Sequence, residues 1–120
     1  MWFVWESTDA KMKKEGQFDN EVVIPPGKDF GYIIIVGPID VPYTFEVTPV
    51  NGRAVMAFGR VDDGNTEKIM AKDLAGALDN EVDVGVGQTK TKGGMLTRGR
   101  YRWAVANPND KPLRVKIRFG

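Results

Sequence analysis

The chain has 120 residues, 42% hydrophobic and 28% charged, close to globular averages, so one folded domain over residues 1–120 with a sizeable core is expected. It contains no cysteine and no histidine, which excludes disulfides, thiolate or imidazole metal ligation, and Ser-His-Asp or Cys-His catalysis. The net charge of +1 hides an asymmetry: residues 88–120 hold nine basic residues and one acid, while the first 87 hold eight basic and fifteen acidic ones. Such a split points either to a polyanionic partner or to internal pairing.

Met1 to Glu6 reads as a strand that is apolar on both faces, Trp2 and Val4 on one and Phe3 and Trp5 on the other. Residues 9–17 are polar and lysine-rich, a loop or a single helical turn. A short strand over Glu21–Ile24 is stopped by Pro25-Pro26-Gly27. Phe30–Val36 is apolar on both faces, as a central strand is. Tyr43–Thr48 alternates, with Tyr43, Phe45 and Val47 inward and Thr44, Glu46 and Thr48 outward. Asn51-Gly52 then offers the two-residue turn of a hairpin whose return strand is Arg53–Gly59.

Asp62-Asp63-Gly64-Asn65 reads as a turn. Over 67–78, Met70, Leu74, Ala77 and Leu78 fit one face of a short helix, although Lys68–Lys72 also suits a strand. Glu81–Val86 alternates, with Glu81 and Asp83 outward. Residues 88–94 read as a polar, glycine-containing loop. Arg100–Ala106 points Tyr101, Trp103 and Val105 inward, and Leu113–Phe119 does the same with Leu113, Val115, Ile117 and Phe119. The Asn107-Pro108-Asn109-Asp110 turn between them predicts that these last two strands pair as an antiparallel hairpin.

About eight short strands at this spacing predict an all-β fold, an antiparallel two-sheet β-sandwich or jelly roll. On the closing hairpin the outward side chains are Arg100, Arg102, Arg114, Lys116 and Arg118, with Lys90, Lys92 and Arg98 at the rim. Opposed like charges repel, so either acidic strands flank them and Glu46, Glu81 and Asp83 compensate, or the face stays open to an anionic surface such as phospholipid headgroups or polysaccharide. Internal pairing is the favoured arrangement. Nucleic acid is disfavoured, because the aromatic residues point away from the cations.

Catalysis has little support. Acidic pairs such as Asp62-Asp63 or Asp79 with Glu81 are common in turns and miss the calcium-loop spacing, and Gly85-Val86-Gly87 lacks the third glycine of a dinucleotide loop. No cofactor, metal or membrane-spanning segment is expected, and MWFVWES is too short and lacks the basic start of a signal peptide. The aromatic stretch Trp2, Phe3, Val4 and Trp5 is the candidate protein interface, for self-assembly or another domain. The expectation is a soluble, non-catalytic interaction module.

The run Ile24-Pro25-Pro26-Gly27, Tyr32 to Val36, Val41 to Val47, and Thr97-Arg98-Gly99-Arg100-Tyr101 through Asn107 to Val115-Lys116-Ile117-Arg118-Phe119 resembles the Golgi dynamics (GOLD) domain. The stretch Gly99-Arg100-Tyr101 to Asn107 is also similar to the pre-peptidase C-terminal domain. The first resemblance implies a β-sandwich making protein or lipid contacts; the second implies an accessory binding role.

Overall fold

The computed structural model describes residues 3–5 (backbone only), 17–60 and 81–120. The predicted polar segment at 9–16, the turn at 62–65 and the helix or strand at 67–78 lie outside the described residues. The described chain forms nine strands: β1 Phe3–Trp5, β2 Phe18–Ile24, β3 Asp29–Val36, β4 Val41–Pro49, β5 Ala54–Arg60, β6 Val82–Val84, β7 Lys90–Leu96, β8 Gly99–Ala106 and β9 Leu113–Phe119. All described pairings are antiparallel, in a five-stranded sheet of order β1-β3-β8-β5-β6 and a four-stranded sheet of order β2-β9-β4-β7. The all-β sandwich expected from alternation is therefore the fold.

The topology has a simple logic. β2 pairs with β9, β3 with β8, β4 with β7 and β5 with β6. These nested partners describe one long hairpin, with β5 and β6 nearest its tip. Winding that hairpin on itself brings β4 beside β9 and β5 beside β8, which completes the two sheets. This is a jelly roll.

Three sequence expectations are corrected by it. Tyr43–Thr48 and Arg53–Gly59 do not form a hairpin, because β4 and β5 lie in different sheets. Gly52 is absent from the glycines with positive φ, so the two-residue turn geometry is not used. Instead the Asn51 side chain accepts from the Arg114 N–H at 2.8 Å and donates to the Pro112 carbonyl at 3.3 Å, tying the turn to β9. The closing hairpin fails for the same reason: β8 belongs to the five-stranded sheet and β9 to the four-stranded one. Third, residues 90–96 are strand and not loop. As an edge strand exposed along most of its length, β7 needs no apolar alternation, and Lys90-Thr91-Lys92-Gly93-Gly94 shows none.

Between the sheets lies the core, with Trp103 fully buried at its centre. Its indole meets Phe18 at 5.3 Å, Tyr32 and Phe45 at 5.5 Å and Phe119 at 5.7 Å between ring centroids. Packing of this kind makes a large buried aromatic worth about 3–5 kcal/mol against alanine. The inward phase predicted for Tyr101, Trp103, Val105, Leu113, Val115, Ile117 and Phe119 is observed, since all are buried in this core.

One end of the sandwich is held by two asparagines. Asn107 is buried and donates to the carbonyls of Ile24 at 2.9 Å and Lys111 at 2.8 Å. Its Oδ1 accepts from the backbone and side-chain amides of Asn109, both at 2.8 Å, and Asn109 donates onward to the Arg53 carbonyl at 2.7 Å. Three loops that cross between the sheets are thereby joined. The sequence reading took Asn107 for a turn residue only.

Candidate functional site

The sheet assignment separates the cations that the sequence placed on one surface. Arg100 and Arg102 point from the outer side of the five-stranded sheet, and Arg114, Lys116 and Arg118 from the outer side of the four-stranded sheet. Lys90 is exposed and Lys92 half-buried on β7, and Arg98 is exposed in the turn before β8. The backbone of Phe3–Trp5 forms the outermost described strand of the five-stranded sheet, opposite Ile34–Val36.

On the five-stranded sheet the outer side is dry at its centre. Ile33, Ala57, Arg102 and Ala104 are 7%, 1%, 6% and 0% exposed, and none belongs to the core between the sheets. Arg102 pairs with Asp29 at 3.5 Å. Gly31 and Ala104 lie opposite one another between these two residues on the register, and the strands approach so closely there that a Cβ at Gly31 would meet Ala104. Burial pushes the Asp29 carboxyl above its ordinary value, opposed by the charge of Arg102, and burial also lowers the guanidinium. Arg102 is therefore an internal member of the fold and is removed from the predicted anion-binding row.

The outer side of the four-stranded sheet is wet. Its register places Asp19, Arg118, Glu46 and Thr91 in one line across β2, β9, β4 and β7. A second line carries Glu21, Lys116 and Thr48, with Thr89 bonded to Thr48 at 2.7 Å. Arg114 is tied to Glu21 through Nη2 at 3.1 Å and Nε at 3.2 Å. Thr91 donates to Glu46 Oε2 at 3.3 Å. Among the described residues no hydrogen bond or ion pair joins Arg118 to Asp19 or Glu46, although the three are register neighbours.

Two shallow depressions open on this side. One of about 340 Å³ is lined by Gln17, Phe18, Asp19, Thr44, Arg118, Phe119 and Gly120. The other, of about 200 Å³, is lined by Asp19, Glu46, Thr48, Lys116, Ile117 and Arg118. Asp19 and Arg118 belong to both. Among the described residues the face carries three carboxylates, Asp19, Glu21 and Glu46, against the three cations of β9. Acidic strands thus flank the basic one, as the internal-pairing alternative required, with Glu46 in that role. Asp83, another of the expected partners, lies on β6 of the five-stranded sheet, 4.0 Å from Arg53.

Sequence reasoning missed Asp19 and the threonines. A short strand was expected over Glu21–Ile24, yet β2 begins at Phe18 and so includes Asp19. The outward phase of Thr44, Glu46 and Thr48 was available as a signal; their meeting with β7 was not. Among the described residues no group of three or more acidic side chains is arranged to hold a metal ion, and no helix is long and apolar enough to cross a membrane.

No protein-family model matches this sequence, and no curated protein matches it either. Solved structures do share its shape. The crystal structure of PirA is similar with a TM-score of 0.54 at 14% identity, over 93% of this chain and 100% of that one. The solution NMR structure of a de novo designed double-stranded β-helix has a TM-score of 0.51 at 18% identity, over 85% of this chain and 97% of that one. A carbohydrate-binding module of a Cellvibrio mixtus lichenase 5A, in complex with cellotriose, has a TM-score of 0.44 at 13% identity, over 100% of this chain and 98% of that one, a likeness too loose to reason from. At these identities the likenesses speak to the β-sandwich architecture alone.

Proposed function

We propose that the chain is a non-catalytic binding module whose working surface is the solvent-facing side of its four-stranded sheet. One observation carries this reading: two depressions converge on Asp19 and Arg118, within rows of exposed or half-buried carboxylate, guanidinium and hydroxyl groups held at fixed register. Rigid strands position such groups better than loops do. Amide chemical shifts test the reading. The labelled protein is titrated with soluble polysaccharides, with heparin, with anionic lipid vesicles, and with itself at rising concentration. The expected result is a set of shifts centred on Asp19, Thr44, Glu46, Thr91 and Arg118 for at least one of these.

Self-assembly or protein contact through Trp2, Phe3, Val4 and Trp5 is the second reading. It is favoured by the place of β1 at the edge of the five-stranded sheet among the described strands, since an edge strand offers backbone groups to another chain. Concentration-dependent shifts confined to β1 and β3 would replace the first reading with this one.

A further inference from the structure

We infer that the line Asp19, Arg118, Glu46 and Thr91 is a binding site for a neutral polysaccharide laid across the strands. The inference rests on the four-stranded face being the working surface, and it names the ligand class of that face. The decisive feature is the order of charges. Arg118 lies between a carboxylate on each neighbouring strand, and Lys116 lies between Glu21 and Thr48. A phosphate, sulfate or carboxylate approaching either cation also meets a like charge one strand away, about 4.8 Å across the sheet. The described residues of the face, three carboxylates against three cations, offer no net attraction to a polyanion.

A sugar hydroxyl both donates and accepts, so a polyol satisfies the carboxylates, the guanidinium and the threonines together. Asp19 and Arg118 hold no partner among the described residues that a ligand would first have to displace. Vicinal hydroxyls match the two oxygens of a carboxylate and the fork of a guanidinium. The line crosses three inter-strand gaps, about 14 Å, a span that suits an oligosaccharide better than a single ring. A protein partner fits less well, because interfaces exclude charge from an apolar centre. Here the exposed apolar side chains Val23 and Met95 stand on the opposite edge strands β2 and β7, with charged and hydroxyl groups between them.

Affinity electrophoresis of the whole chain tests this, in gels containing hydroxyethyl cellulose, galactomannan, laminarin or heparin, with flotation on phosphatidylserine vesicles alongside. The expected result is retardation by at least one neutral polysaccharide, unchanged when salt is raised, and weakened about tenfold or more by Arg118→Ala and by Glu46→Gln. Lys90→Ala leaves it unaltered. Thermal unfolding of each variant separates lost binding from lost folding. Binding to heparin or vesicles alone, abolished by salt and by Arg118→Ala, overturns the ligand class while leaving the face intact. Binding of a neutral polysaccharide that Arg118→Ala and Glu46→Gln do not weaken overturns the site. Binding of none of the five probes overturns the ligand class, and amide shifts confined to β1 and β3 overturn the working face as well.

Discussion

The two outer sides of this sandwich carry the same kind of residue to opposite ends. Arg102 and Arg118 each sit on an interior strand, each at an outward position of a clean alternation. Arg102 is buried over small neighbours and closed onto Asp29; Arg118 is exposed between two carboxylates that it does not touch. Outward phase therefore does not fix the environment of a side chain. The character of its neighbours on the register differs: Ile33 and Gly59 stand beside Arg102, and Asp19 and Glu46 stand beside Arg118.

Breaking the dry side at its ion pair should have the largest effect. Arg102→Ala leaves the Asp29 carboxyl buried without its partner, and a loss of about 3–5 kcal/mol is expected from the urea midpoint. Replacing both residues, Asp29→Leu with Arg102→Met, is expected to be neutral or to stabilise by about 1–4 kcal/mol, because both desolvation costs vanish together. A double variant as unstable as the single one would show that the pair itself holds the sheet.

Next in size is Gly31→Ala on the same side. The added methyl would run into the carbonyl of Trp103 and stand 2.8 Å from the Ala104 Cα, both on the neighbouring strand. Backbone cannot move aside as a flexible side chain does, so the cost should reach the upper part of the usual overpacking range, about 1–3 kcal/mol. A melting temperature within experimental error of the parent would mean that the dry side has slack.

Alternation gave the inward residues of β4, β8 and β9, because a two-residue period survives whichever strand lies alongside. Pairing partners were not legible. Asn51-Gly52 and Asn107-Pro108 look like hairpin turns, yet both connect strands in different sheets, and the Asn51 and Asn107 side chains bond to backbone groups far away in sequence. The five cations were consequently grouped by sequence proximity when topology divides them. Asp19 was lost for a local reason: the polar stretch Asp19-Asn20-Glu21 lies on an exposed edge strand, where alternation is weakest.

A smaller effect should appear in the pH dependence of the dry side. The Asp29 carboxyl titrates above its ordinary 3.8, so between that value and its native one the folded state holds a proton that the unfolded chain has released. Its contribution to stability is then highest below pH 3.8 and falls as pH rises through the native value, the reverse of an exposed paired carboxylate. In urea titrations across the acid range, the stability of the parent relative to the Asp29→Leu, Arg102→Met variant should decline as pH rises. A difference that grows with pH would mean that Arg102 outweighs burial at this site.

The smallest expected change in stability comes from the wet side. Arg118→Ala removes a solvated side chain with no partner among the described residues, so folding should shift by no more than about 0.5 kcal/mol. It also leaves Asp19, Glu21 and Glu46 facing only Arg114 and Lys116, which makes the face acidic. The small loss expected from folding and the large one expected from binding separate a site from a structural ion pair. Were Arg118→Ala to cost as much as Arg102→Ala, the two sides would obey one rule, and the wet face would be scaffold instead of surface.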